Sequence, residues 1–303
     1  MNRAFEDPMS DQTKIIECPR DAWQGLPALI PSDVKAAHLC ALIEAGFTHI
    51  DAVSFVSPAA IPQMADSEWV LELLNPPAQA EIIGIVVNKK GAERAIAAGT
   101  VHTLGFPYSI SQQFLQRNQN QTQEEALGVL QEIVALAATA KLDVVAYLSM
   151  AFGNPYDEPW NIRDVVSACD RLAECGVRQI SLADTVGLAS PERIADTVTA
   201  AAAALSAIEI GVHLHARRTE AEARIRAAYD AGCRRFDSAM GGLGGCPFAQ
   251  DELVGNIPTE ILLAVLAGCG AELPPLKPLD TLLRTSAEIA ASHSFAAPRG
   301  KVS

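Results

Sequence analysis

The chain has 303 residues, 49% of them hydrophobic and 19% charged, and a net charge of −13. That length fits one large α/β barrel or two ordinary domains, and the apolar share can fill a sizeable core. No run approaches the roughly 20 apolar residues of a membrane-spanning helix, and the acidic field disfavours nucleic acid and anionic membranes, though not a phosphorylated small molecule in a local basic pocket.

Residues 1–13 are polar, carry Glu6, Asp7 and Asp11, and have no apolar signal region. They are expected to be a flexible lead, neither a secretory signal nor a transit peptide. From there, β-rich runs alternate with alanine-rich helical segments. Strands are predicted at 14–18, 49–55, 81–87, 101–106, 143–149, 179–183, 209–215 and 235–239. Helices are predicted at 32–45, 66–74, 90–98, 123–140, 162–175, 191–205, 220–231 and 257–268. Ser32 reads as an N-cap and Gly46 as a helix stop. Eight strands alternating with eight helices predict an α/β fold, a (β/α)8 TIM barrel closed over residues 14–273. Residues 274–303 follow as an appended C-terminal helix at 281–291 and a tail. The seven cysteines include no Cys-x-x-Cys pair. That pattern argues against a disulfide framework and for a reducing, cytoplasmic location.

Active sites of such barrels lie at the C-terminal ends of the strands. Polar residues gather there: Arg20 and Asp21 after the first strand, Asp51 and Ser54 on the second, and Tyr147 and Ser149 on the fifth. Asp184 and Thr185 follow the sixth, His213 and His215 end the seventh, and Ser238 precedes a loop from 241 to 256 on the eighth. Residues two apart on a strand share a face, so His213 and His215 are expected to point together into the barrel mouth. Such a pair serves a divalent metal or simply a hydrogen-bonded histidine contact. Arg20 offers a fixed fork of donors that suits an enolate oxygen, and Asp21 beside it is a hard ligand. Gly241, Gly242, Gly244 and Gly245 surround Cys246 in a flexible run without the Lys-Ser/Thr ending of a phosphate loop. Cys246 is therefore either an acid/base group or a packing residue.

Five runs carry a family resemblance. They are Pro19-Arg20-Asp21; Ser54-Phe55-Val56-Ser57-Pro58 with Pro62-Gln63-Met64; Ser181-Leu182-Ala183-Asp184-Thr185-Val186-Gly187; Val212-His213-Leu214-His215; and Gly241-Gly242-Leu243-Gly244-Gly245-Cys246-Pro247-Phe248-Ala249. In order and spacing, from about Ile15 to Leu266, the chain resembles the 3-hydroxy-3-methylglutaryl-CoA lyases. The resemblance implies one Mg²⁺ or Mn²⁺ held by Asp21, His213, His215 and Asn256. It implies that Arg20 stabilises a thioester enolate and that Cys246 transfers a proton to it. Asp51 stands where the family has a glutamate. Gln24, Ser54, Tyr147, Ser181, Asp184 and Thr185 match positions that contact substrate. The implied reaction cleaves an acyl-CoA to acetyl-CoA and a 3-oxo acid. Its base is His213 or a metal-held water, a choice the sequence leaves open. Members of the family are often homodimers, and the appended helix is a candidate to pack between subunits. Arg117 and Asn118 are candidate contacts for the coenzyme A arm.

The chain departs from the family at Ala22 and Trp23, at Asp51, at Val145 where an arginine is usual, and at Ala216-Arg217-Arg218. Trp23 and Val145 are expected to enlarge or grease the acyl pocket, which points to a related 3-hydroxyacyl-CoA with a different acyl chain. Two alternatives stand beside this reading. One is a Claisen-type synthase on the same fold, which usually carries a glutamate at the position of Trp23. The other is a catalytically impaired acyl-CoA-binding homologue.

Overall fold

A computed structural model describes residues 12–77, 79–244 and 254–294. Eight parallel strands close a barrel: β1 (Lys14–Glu17), β2 (His49–Ser54), β3 (Glu81–Ile85), β4 (Thr103–Ser109), β5 (Asp143–Ser149), β6 (Gln179–Asp184), β7 (Glu209–Ala216) and β8 (Arg235–Ser238). β8 pairs with β1, and the β6–β7 pairing completes the ring. A two-residue strand, β9 (Gly255–Asn256), adds to β7 antiparallel, placing Asn256 opposite His215. The (β/α)8 prediction holds, with strand ends displaced by at most three residues.

The helices are α1 (Pro19–Gln24), α2 (Ser32–Ala45), α3 (Ser67–Leu73), α4 (Lys89–Ala97), α5 (Gln112–Gln119), α6 (Gln123–Ala140), α7 (Ile162–Glu174), α8 (Pro191–Ala204), α9 (Ala221–Asp230), α10 (Thr259–Gly268) and α11 (Asp280–His293). Most follow from local chemistry. Asn88, Ser111, Thr122, Asn161 and Ser190 each accept a backbone N–H of the first turn, and Thr122 with Glu125 forms a full capping box. Gly46 stops α2 at φ +106°, a left-handed cap that only glycine adopts freely. Ser32 is not the N-cap expected of it. It is the first helical residue, and its hydroxyl donates to Asp66 at 2.6 Å.

The lumen holds a layer drawn from alternate strands: Ile16 and Cys18 from the β1 end, Ile83 and Ile85 from β3, and Val145 and Tyr147 from β5. The larger core lies between barrel and helices. Among the described residues, no helix is long and apolar enough to cross a membrane. The appended helix α11 buries Leu282, Ser286 and Ile289 against its own barrel, beside α2, and Ala28 N donates to His293 O. That face is therefore spent within the chain. Gln12 and Thr13, the last residues of the predicted lead, pair with Glu272.

Candidate active site

β1 ends at Glu17, and the chain turns at once into α1. Pro19 occupies the first helical position, where its missing N–H costs nothing. This short turn presents Arg20 and Asp21 at the barrel mouth, both nearly buried. Arg20 grips Asp51 with two parallel bonds, Nε to Oδ1 at 3.0 Å and Nη2 to Oδ2 at 2.5 Å. Its Nη1 donates to Asp21 Oδ1 at 3.1 Å and to Gln24 Oε1 at 2.9 Å. Four of the five guanidinium N–H groups are thus held by described residues, and one is left for a ligand. Gln24 Nε2 donates to Asp21 Oδ1 at 2.9 Å. Burial works against the Asp21 charge, yet Arg20, His215 and His213 together hold that carboxyl well below the usual range. At Asp51 burial wins over Arg20 and pushes the carboxyl up.

β7 presents both histidines on one face, as period two requires. His213 Nε2 and His215 Nε2 each stand 3.9 Å from Asp21 Oδ2. Their other nitrogens are tied back, His213 Nδ1 facing Asp237 Oδ2 at 3.2 Å and His215 Nδ1 facing the Thr185 carbonyl at 3.1 Å. Asn256 Nδ2 donates to Asp21 Oδ2 and to Leu243 O, both at 2.9 Å. Burial opposes charge on His213, but Asp237 and Asp21 outweigh it and raise its pKa.

Does this group fit a divalent cation? Asp21, His213 and His215 offer ligand atoms within 4.8 Å of one another. Two metal–ligand bonds of about 2.1 Å span at most about 4.2 Å, so the 3.9 Å separations are bridgeable. Among the described residues, His215 Nε2 is buried with no hydrogen-bond partner, an orphan that a cation would satisfy. Flipping the Asn256 amide brings its oxygen to the same point. The residues therefore fit. A second trio, Cys18, His213 and Asp237, is equally close. It suits a cation poorly: burial and the nearby carboxylates keep the Cys18 thiol neutral, and Asp237 is engaged by Arg235 and Ser181.

The remaining predicted residues divide by position. Tyr147 lies edge-on to His213, ring centres 6.0 Å apart. Ser181 donates to Asp237 Oδ2 at 3.0 Å. Asp184 accepts from Leu188 N, Ala189 N and Arg224, shaping the loop after β6, and Thr185 Oγ1 accepts from Met150 N. Ser54 closes the end of β2, where its backbone bonds Ser67. Arg117 lies on exposed α5, stacked over Tyr156, with Asn118 bonded to Phe114 O. Cys246 lies outside the described residues. Trp23 does not line the site as expected: its ring packs edge-on against His38 of α2 in the outer core. Val145 is wholly buried in the lumen, two residues before Tyr147 on the same strand.

Four charged residues around the site were not among those expected: Glu17, Arg224, Arg235 and Asp237. Asp237 lies one residue before Ser238, at the same strand end, so its position gave a signal even though its partners did not. Arg224 binds Asp184, the carbonyls of His215 and Gly187, and Glu220, and so braces the histidine strand from α9.

Comparison with known proteins identifies the family. A family model described as HMGL-like matches residues 13–288. The mitochondrial hydroxymethylglutaryl-CoA lyase of Mus musculus is 35% identical over 260 residues, 86% of this chain and 79% of that protein. The hydroxymethylglutaryl-CoA lyase YngG of Bacillus subtilis is 33% identical over 248 residues, 82% of each. An HMG-CoA lyase structure from Acinetobacter baumannii, in complex with coenzyme A and 3-methylmalate, superposes with a TM-score of 0.85 at 33% identity, covering 97% of this chain and 96% of that one. The chain therefore belongs to the HMGL-like family, as a hydroxymethylglutaryl-CoA-lyase-like enzyme on a (β/α)8 barrel.

Proposed function

We propose that this enzyme is a metal-dependent carbon–carbon lyase that cleaves a 3-hydroxy-3-methylglutaryl-CoA-like thioester to acetyl-CoA and a 3-oxo acid. One observation carries the reading: two imidazole Nε2 atoms and the Asp21 carboxylate converge at the barrel mouth beside the clamped guanidinium of Arg20. Mg²⁺ or Mn²⁺ would be held by Asp21, His213, His215 and Asn256. When bound it supplies a Lewis acid for the tertiary hydroxyl and the ketone oxygen that emerges.

The chain's own residues do the rest. Arg20 aims its remaining N–H at the thioester oxygen, where charge develops as the carbon–carbon bond breaks. Asp51, Asp21 and Gln24 hold that donor fixed, so little reorganisation is needed. His213 or a water takes the tertiary hydroxyl proton as the carbon–carbon bond breaks, and Cys246, on its glycine run, delivers a proton to the enolate carbon. Tyr147 and Gln24 border the acyl group. Ser54, Ser181, Asp184 and Thr185 act through the strand end, histidine partner and loop they fix. The coenzyme A arm passes Arg117 and Asn118 on α5. Trp23 packs against His38 in the outer core, so support for an altered acyl chain narrows to Asp51, Val145 and Ala216-Arg217-Arg218. The acidic charge and the free cysteines among the described residues favour a cytoplasmic location.

Acetyl-CoA release from HMG-CoA with Mg²⁺ or Mn²⁺, measured beside Cys246→Ser and His213→Ala, tests the proposal. Turnover that both variants lose supports it. Release of free CoA from acetyl-CoA plus a 2-oxo acid, with no cleavage of HMG-CoA, would assign the enzyme to the synthase direction instead.

A further inference from the structure

Below the two histidines the lumen contains a charged pair that the reading above leaves unused. Arg235 opens β8 with its side chain 1% exposed. Its stem crosses Gly211 of β7, where a Cβ would come within 2.9–3.0 Å of three Arg235 carbons. Only glycine leaves room for this path. The guanidinium carbon stands 6.0 Å from the Tyr147 ring centre, and Nη1 stands 3.1 Å from Asp237 Oδ1. Residues 235 and 237 share a face of β8, so one strand supplies both charges.

The other Asp237 oxygen accepts the Ser181 hydroxyl at 3.0 Å and faces His213 Nδ1 at 3.2 Å. An ionised carboxylate accepts hydrogen bonds and donates none. A bare Nδ1 lone pair facing it would be repelled, so His213 must carry its proton on Nδ1. In the neutral ring Nε2 is then the unprotonated nitrogen, turned toward Asp21 and His215. Asp237 lies wholly buried, and without a cation beside it its charge would be costly to keep. Arg235 is that cation.

We propose that Arg235 and Asp237 are positioning residues that fix the tautomer and ring orientation of His213, so that Nε2 is presented ready to ligate. This deepens the metal-lyase reading and rests on His213 as a ligand. His215 is held in the same tautomer by a neutral carbonyl, that of Thr185, so only one of the two histidines depends on a buried ion pair.

The first test needs neither metal nor turnover. Long-range ¹H–¹⁵N correlation on metal-free, histidine-labelled protein at pH 8.5 reads the His213 tautomer, with His213→Ala giving the assignment. The Nδ1–H form is expected, and the Nε2–H form in the wild-type protein would overturn the proposal. The second test is Mn²⁺ affinity by calorimetry. Asp237→Asn and Arg235→Met are expected to weaken binding by about 10- to 100-fold, while Arg235→Lys, matched to Met in length but charged, stays within about threefold of wild type. Equal affinities for the Met and Lys variants would reduce Arg235 to a space-filling role and refute it as the partner charge. If the protein cleaves no thioester at all, both readouts still stand, so the two proposals fail separately.

Discussion

Glu17 offers a sharp test of how the active-site end is held together. It is buried at the end of β1, its Oε1 accepts Met240 N at 2.8 Å, and its Oε2 meets the Thr259 hydroxyl at 2.5 Å. Met240 precedes the glycine run and Thr259 follows it, so one carboxyl anchors both ends of the loop that bears Cys246. Burial, opposed by the bonds from Thr259 and Met240, pushes this carboxyl from the ordinary 4.5 up to about 8. At ~1.4 kcal/mol per pH unit, that displacement amounts to about 5 kcal/mol. The folded protein keeps a proton that the unfolded chain releases above 4.5. The contribution to stability is therefore complete below pH 4.5 and is lost as pH rises through about 8. Glu17→Gln keeps an acceptor for Met240 and offers a donor to Thr259, but it never ionises. Urea unfolding followed by tryptophan fluorescence at pH 5, 7 and 8.5 compares the two proteins, and subtraction cancels the other titrating groups. The variant is expected to differ by under about 1 kcal/mol at pH 5 and to be more stable by about 5 kcal/mol at pH 8.5. A difference that stays constant with pH would refute the reasoning.

Three further perturbations reach the site from other directions. Gly244→Ala places a methyl 2.7 Å from Asn256 Nδ2 and 3.0 Å from Asp21 O, at a φ of +92°; calorimetry should show Mn²⁺ affinity reduced about tenfold with the far-ultraviolet spectrum unchanged. Asp51→Ala frees the Arg20 fork, and kcat/KM on HMG-CoA should fall by at least about 100-fold, the scale of losing a fixed oxyanion donor. Arg224→Met leaves the buried Asp184 without its cation, and urea unfolding should report a loss of about 3 kcal/mol or more.

The barrel was legible because its strands and helices alternate with clean periodicity, and because a strand of period two and a helix of period 3.6 bury different patterns. The pieces that escaped lack a local signal. β9 is two residues long and exists only through its pairing with β7. α1 has six residues, too few for propensity to announce, and is set by Pro19 and the contacts of Arg20. α5 reads as a polar loop from its glutamines and asparagine, yet Ser111 caps it and Phe114 and Leu115 bury its inner face. In the site, the metal-ligand candidates stood out as polar residues at strand ends. Glu17, Asp237 and Arg235 did not, because charged residues are seldom fully buried and only the folded barrel brings each to its partner. Trp23 misled for the opposite reason. Its neighbours in sequence face the site, but the helical turn carries its ring to the far side, against His38.

The proposed cleavage requires a cation held by Asp21, His213, His215 and Asn256. Protein stripped of metal, then titrated with Mn²⁺ while HMG-CoA cleavage is followed, tests it most directly. Turnover is expected to be negligible without metal and to rise with occupancy of one site per chain, with acetyl-CoA and acetoacetate formed in equal amounts. Full turnover by the stripped protein, or stoichiometric Mn²⁺ binding that brings no cleavage, would contradict it.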